Sequence, residues 1–178
     1  MKLMIASDLH GSAYYTEKLL AAMEKEQPDK LLLLGDLLYH GPRNDLPRDY
    51  APKKVIDLLN GVRGKLLCVR GNCEAEVDQM VLSFPVLAEY AVLFLDGRTI
   101  YAIHGHKNME LPFAPGDLVL SGHTHVPKFE EQKGVFFANP GSVSIPKEGS
   151  APGYMLLEGD VIVHKSLETG EVLSHFTF

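Results

Sequence analysis

The chain has 178 residues, 46% of them hydrophobic and 22% charged, with a formal net charge of −6. This composition suits an ordinary globular protein with one domain over residues 1–178, long enough to bury a core without disulfide help. The acidic balance argues against a broad nucleic-acid-binding face, which requires clustered Lys and Arg. Cys68 and Cys73 are the only cysteines, too few for a disulfide framework and not spaced as a C-x-x-C motif, so reduced thiols and a cytoplasmic location are expected. No stretch approaches the ~18 apolar residues of a membrane span. Asp8 and His10 interrupt the apolar start Leu3-Met4-Ile5-Ala6, which therefore reads as a core strand and not as a secretion signal.

Taken in chain order, the elements give an α/β half and then a β-rich half. Residues 2–7 form a short apolar strand, and the apolar spacing of Leu19, Leu20 and Met23 predicts a helix over 13–25. Leu31-Leu32-Leu33-Leu34 is a continuous apolar strand of the kind covered on both faces. The stretch 39–52 reads as a long loop, and Pro52 is placed to open a helix to about residue 60. A strand over 65–70 leads to Gly71-Asn72, and a short helix over 74–82 follows. Asp96-Gly97 separates two β-patterned runs, 88–95 and 99–104, as in a two-residue hairpin. Further short strands are expected over 118–121, 128–132, 135–139, 154–157, 161–166 and 172–178.

Five polar clusters hang off the ends of apolar runs: Asp8-Leu9-His10, Gly35-Asp36, Gly71-Asn72-Cys73-Glu74, His104-Gly105-His106 and Gly122-His123-Thr124-His125. In open α/β sheets, residues past the carboxyl ends of strands converge at one edge. Carboxylates, imidazoles and one amide are donors suited to hard-to-borderline divalent metals. They are too many for one ion but suit two held about 3.5–4 Å apart, the arrangement that clamps phosphate esters. Each cluster alone is weak: a single His-x-His or Asn-containing turn is usually structural. Five of them serving one edge are not. His164 and His175, in the last strands, read as plain surface or core residues; Tyr14 and Tyr15 read as helix packing, and Cys68 as core.

These blocks resemble the signature of the calcineurin-like metallophosphoesterases. The stretches Gly35–Asn44, Val69–Cys73, Glu76–Met80 and Asn139–Pro146 further resemble the small bacterial YfcE phosphodiesterases. The resemblance implies a four-layered α/β/β/α sandwich built around two mixed β-sheets. It implies Asp8, His10, Asp36 and His125 on one metal, and Asp36, Asn72, His104 and His123 on the other. Oxygen and imidazole donors without a required thiolate put Mn²⁺ first, with Zn²⁺, Fe or Mg²⁺ as alternative occupants. Asp8, Asp36 and a bridging hydroxide leave about one positive charge on the pair, which favours an anionic phosphate.

The implied reaction is in-line attack by the metal-bridging hydroxide on a small phosphodiester, with Asp36, Asn72, Cys73 and His104 as catalytic residues and Arg43 as a phosphate contact. Many relatives carry His where this chain has Cys73, as the YfcE group does, and Glu74 stands where that group typically has Asp, a change expected only to adjust the helix start. Phosphomonoesterase or phosphoprotein phosphatase activity is the alternative. A third reading is a metal-degraded scaffold like the retromer subunit of this fold, and the complete ligand set argues against it. A homo-oligomer is left open.

Overall fold

Side-chain alternation on two parallel strands organises the molecule. In the computed structural model, which describes residues 1–178, β1 (Lys2–Ala6) and β2 (Lys30–Leu33) pair in parallel. Leu3, Ile5 and Leu32 point to one side, while Met4, Ala6, Leu31 and Leu33 point to the other, and all are fully buried. Both faces of these strands are covered, which explains their unbroken apolar runs.

One cover is helical. α1 (Ala13–Glu26) starts at Ser12, whose Oγ accepts the Tyr15 N–H at 3.3 Å, and stops at Gln27 in the left-handed conformation. α2 (Pro52–Gly61) opens on its proline. Leu19, Met23, Val55 and Leu59 of these helices pack on the Met4/Leu31 side. β3 (Leu66–Cys68) continues the parallel pairing, shorter than the stretch 65–70 because Arg63–Lys65 is a 3₁₀ turn. α3 spans Glu76–Val81, starting two residues later than expected.

The other cover is a second sheet. β4 (Tyr90–Leu95) and β5 (Arg98–Ile103) form the hairpin, with positive φ at both Asp96 and Gly97, as a type I′ turn requires. β6 (Leu118–Leu120), β7 (Pro127–Gln132) and β8 (Val135–Pro140) complete it in the order β4-β5-β6-β8-β7. β9 (Gly153–Glu158), β10 (Val161–Ser166) and β11 (Val172–Thr177) return to the first sheet as antiparallel strands, giving β11-β10-β9-β1-β2-β3. Both sheets are mixed, and Ile100, Ala102, Leu118, Leu120 and Ala138 meet Leu3, Ile5 and Leu32 between them.

The expected α/β sandwich around two sheets is present. On the outer face of the second sheet the covering layer is a loop: Leu111 and Phe113, from the segment between β5 and β6, pack on Tyr101, Val119 and Val135. No helix is long and apolar enough to cross a membrane.

Replacing Leu59, fully buried on the inner face of α2, with Ala should cost about 2–5 kcal/mol through lost burial and the cavity left behind. For a chain this long that is roughly a 5–15 °C fall in Tm. Calorimetry should show no comparable change for Phe94→Ser at a position 78% exposed.

Candidate metal centre

The loops that leave β1, β2, β3, β5 and β6 end at one edge between the sheets and bring the five clusters together. Asp8, His10, Asp36, His123 and His125 all have φ between 47° and 66°, five of the ten non-glycine residues in that region. Left-handed backbone costs an L-residue roughly 1–2 kcal/mol. Strain of this kind, concentrated on candidate ligands, aims side chains at a common point.

Hydrogen bonds to backbone carbonyls fix three of the imidazoles. Nδ1–H of His10 donates to Tyr39 O at 2.8 Å, that of His104 to Leu34 O at 2.6 Å, and that of His125 to Ile145 O at 2.6 Å. A carbonyl can only accept, so Nδ1 carries a proton and Nε2 points inward, a metal-ligating lone pair whenever the ring is neutral. The Nε2 atoms of His10 and His125 stand 3.2 Å apart. Asp8 Oδ1 lies 3.2 Å from the His125 Nε2 and 3.6 Å from that of His10, and it is buried with no hydrogen-bond partner.

A second group adjoins the first. His104 Nε2 is 3.1 Å and His123 Nδ1 2.8 Å from Asn72 Oδ1. Asp36 Oδ2 sits 3.5 Å from His104 Nε2 and 3.7 Å from His10 Nε2, between the two groups. Electron-rich atoms from Asp8, His10, Asp36, Asn72, His104 and His125 thus face one another, most of them buried, at the floor of an open cleft. Such an array needs cations among its members. The donors fit a metal pair: Asp8, His10 and His125 would hold one ion, Asn72, His104 and His123 the other, with Asp36 offering Oδ2 to both.

The electrostatics agree. Burial alone would raise the Asp8 carboxyl, but the adjacent His10 and His125 rings and the charge of His104 hold it far below the carboxylate range. Asp36 is likewise lowered, against burial, by its bond to His104 and by that ring's charge. Burial would depress His104, yet the Asp36 bond and the charges of Asp8 and Asp36 push it up to about 9. His10 is raised, against burial, by Asp8 and the Tyr39 carbonyl. The pocket has a strong appetite for positive charge.

Residues 1–160 match the calcineurin-like phosphoesterase superfamily domain. The chain belongs to the calcineurin-like phosphoesterase superfamily. Phosphodiesterase YfcE of Escherichia coli K12 is 45% identical over 166 residues, covering 91% of this chain and 90% of YfcE. The solved structure of the E. coli phosphoesterase Yfce superposes with a TM-score of 0.95 at 43% identity, over 99% of both chains. Vps29 of Entamoeba histolytica, solved with Zn²⁺, shares the fold with a TM-score of 0.67 at 21% identity over 99% of both chains.

Within this phosphoesterase framework the structure adds residues whose placement the sequence leaves unmarked. Glu74, read as the start of a helix, is instead buried outside it. Its Oε2 accepts the N–H groups of Asp36 (2.9 Å) and Gly71 (2.5 Å), and its Oε1 accepts that of Leu37 (2.7 Å). Burial, then the charge of Asp36, push this carboxyl up to about 7 against the pull of the three donors. A Cβ on Gly71 would collide with Asp36 Oδ1, so only glycine lets this loop lie so close. From the Asn139–Pro146 stretch, the hydroxyls of Ser142 and Ser144 donate to Asp8 O at 2.8 and 3.1 Å. Asn139 Nδ2 donates to Gly122 O at 2.7 Å, bracing the turn before His123. A Glu, a Ser or an Asn near a turn carries no sequence signal for such a long-range bond.

Of the remaining candidates, Cys73 donates its N–H to Asp36 Oδ1 at 2.9 Å, and its Sγ, a His10 nitrogen and an Asp36 oxygen lie within 4.8 Å of one another. Arg43 lines the same cleft as His10, Asp36, Asn72, His123 and His125. His106 packs beside His104, with ring centroids 5.3 Å apart, outside the convergent set. His164 is a buried strand residue.

Asp36→Asn should weaken both ions together, because the amide cannot offer a charged oxygen to each, whereas His125→Ala should release mainly one. Elemental analysis after gel filtration should find near-complete loss in the first protein and about one metal equivalent retained in the second. Two tightly held ions in Asp36→Asn would rule out the bridging role.

Proposed function

We propose that residues 1–178 act as one domain, a binuclear metal-dependent phosphodiesterase hydrolysing a small phosphodiester. The observation that carries this reading is the position of Asp36 Oδ2 between two groups of inward-facing donors. The 45% identity to a protein named phosphodiesterase supports the reaction class. Oxygen and imidazole donors favour Mn²⁺, with Zn²⁺, Fe or Mg²⁺ as alternatives. When bound, such ions supply a Lewis-acidic seat for phosphoryl oxygens and an acidified water as nucleophile. Both cysteines are free, one of them beside the candidate ligands, which suits a reducing, cytoplasmic setting.

The protein's own groups set the geometry. Asp8, His10, Asp36 and His125, all at most 3% exposed, form the rigid floor. Asn72 and His123 are more exposed and form the side open to substrate. Asn72 supplies a neutral oxygen, which leaves more of the positive charge available to the phosphate. The Cys73 thiol is pushed up by burial and then by the charge of Asp36, so it holds its proton at neutral pH. A departing alkoxide receives no efficient proton from that position, and esters with stable leaving anions are favoured.

Exhaustive chelation, with metal loss verified, should abolish hydrolysis of bis(p-nitrophenyl) phosphate, and Mn²⁺ should restore it. Undiminished turnover by metal-free protein would sink the proposal. Parallel assays on p-nitrophenyl phosphate separate a diesterase from a monoesterase.

Cys73→His should raise kcat/KM most for poor leaving groups, because an imidazole donates a proton where a thiol does not. The gain there should approach the 10²–10⁴-fold range of general-acid help. A graded series of aryl and alkyl phosphodiesters should give a shallower dependence on leaving-group pKa than in the native enzyme. Parallel slopes would show that residue 73 does not serve the leaving group.

A further inference from the structure

The cleft above the ligand groups has a volume of about 440 Å³, and its walls decide what can occupy it. Beyond His10, Asp36, Asn72, His123 and His125, they include Gly41, Pro42, Arg43, Asn44, Cys73, Thr124 and Lys147. None is a Phe, Tyr, Leu, Ile or Val. A stacked base or an acyl chain needs aromatic or aliphatic walls; the rings here are the imidazoles of His10, His123 and His125, turned toward the ligand groups, and the aliphatic surface is that of Pro42.

What it offers is positive charge. Arg43 and Lys147 come from separate segments, both exposed, and neither is ion-paired, whereas Lys18, Lys54 and Lys107 elsewhere sit 2.8, 2.9 and 2.7 Å from Glu168, Glu17 and Glu89. The backbone holds both in place. Lys147 N–H donates to the carbonyl of His125 at 3.1 Å, and Lys147 O accepts from Ser150 N and Oγ at 3.0 and 2.6 Å. Asn44 Nδ2 closes the Arg43 turn onto His40 O at 2.8 Å. In a chain of net charge −6, two unpaired cations share one cleft with the metal-binding groups without belonging to them.

The phosphate of a diester carries a single negative charge, which the ligand groups and their ions are built to hold. Arg43 and Lys147 are surplus to it. We propose that they bind a second anionic group, a carboxylate or a phosphate, on the part of the substrate beyond the reacting phosphorus. The substrate class is then a small, polar phosphodiester of at least two negative charges. This rests on the phosphodiesterase reading and narrows it.

Three p-nitrophenyl phosphodiesters with the same leaving group test it. Their second arms are 2-carboxyethyl, 2-phosphoethyl and 2-carbamoylethyl, so that the first and third differ only in charge. At low salt the Mn²⁺-loaded enzyme should prefer an anionic arm to the carboxamide by about tenfold in kcat/KM, carried by KM and reduced by added salt. A few-fold per cation is the scale of exposed charge pairs. The carboxyl and phospho arms, compared with each other, identify the second anion. Lys147→Gln and Arg43→Gln should each shrink the preference, and together nearly erase it. Lys133→Gln, on the β7–β8 turn, should leave it intact. Calorimetry with non-hydrolysable methylphosphonate esters bearing the carboxyl and carboxamide arms should show the same ranking in Kd. Hydrolysis of all three esters at equal kcat/KM, or a preference that survives the double substitution, would overturn the second-anion site while leaving the phosphodiesterase reading standing. Failure to hydrolyse any of them would overturn both.

Discussion

The crowding of carboxylates, imidazoles and an amide oxygen into one corner, with its demand for protons or cations among them, is the constraint on which the rest of the structure depends. Two imidazole nitrogens 3.2 Å apart, an unpartnered carboxylate oxygen and an amide oxygen facing two further rings do not assemble unaided. Each is held by something outside the pocket. Carbonyls of residues 34, 39 and 145 grip the outer ring nitrogens, and amide N–H groups of residues 73 and 123 hold the outer oxygens of Asp36 and Asp8. A cation held by this group would link its own affinity to the stability of the fold.

That crowding explains why backbone features cluster where they do. Strand ends supply the direction, and left-handed residues supply the abrupt turn that brings consecutive ligands such as Asp8 and His10 to the same side. The serine hydroxyls on Asp8 O tie turns from different sheets to each other, and the Asn139 amide on Gly122 O braces neighbouring strand ends of the second sheet. The protein remains acidic overall, because attraction for an anion is concentrated in one cleft and need not be spread over its surface.

Much of this was readable from the residues. Continuous Leu runs marked strands covered on both faces, Asp96-Gly97 marked a hairpin, and polar clusters at strand ends marked the edge where ligands meet. Local signals served because those features are local or periodic. The helix boundary at Glu76 and the role of Glu74 were not legible. A Glu near a predicted helix start looks like an ordinary first-turn acid, and its three amide partners include Asp36 and Leu37, nearly forty positions upstream. The loop that replaces a helical outer layer on the second sheet was hidden for the same reason. Its Leu111 and Phe113 carry no period, and only contact with Tyr101 and Val119 gives them a place. Lys147 and Arg43 look like any loop cations until the chain has folded around the cleft.

The Glu74 carboxylate has a dynamic consequence. By accepting N–H groups from two loops at once, it makes the connections after β2 and after β3 a single mechanical unit. Neither can swing out while the carboxylate holds the other, so the amides of Asp36, Leu37 and Gly71 exchange with solvent deuterium through one shared opening. Loss of that carboxylate would uncouple the two loops, and with them the ends of β2 and β3 from which Asp36 and Asn72 project.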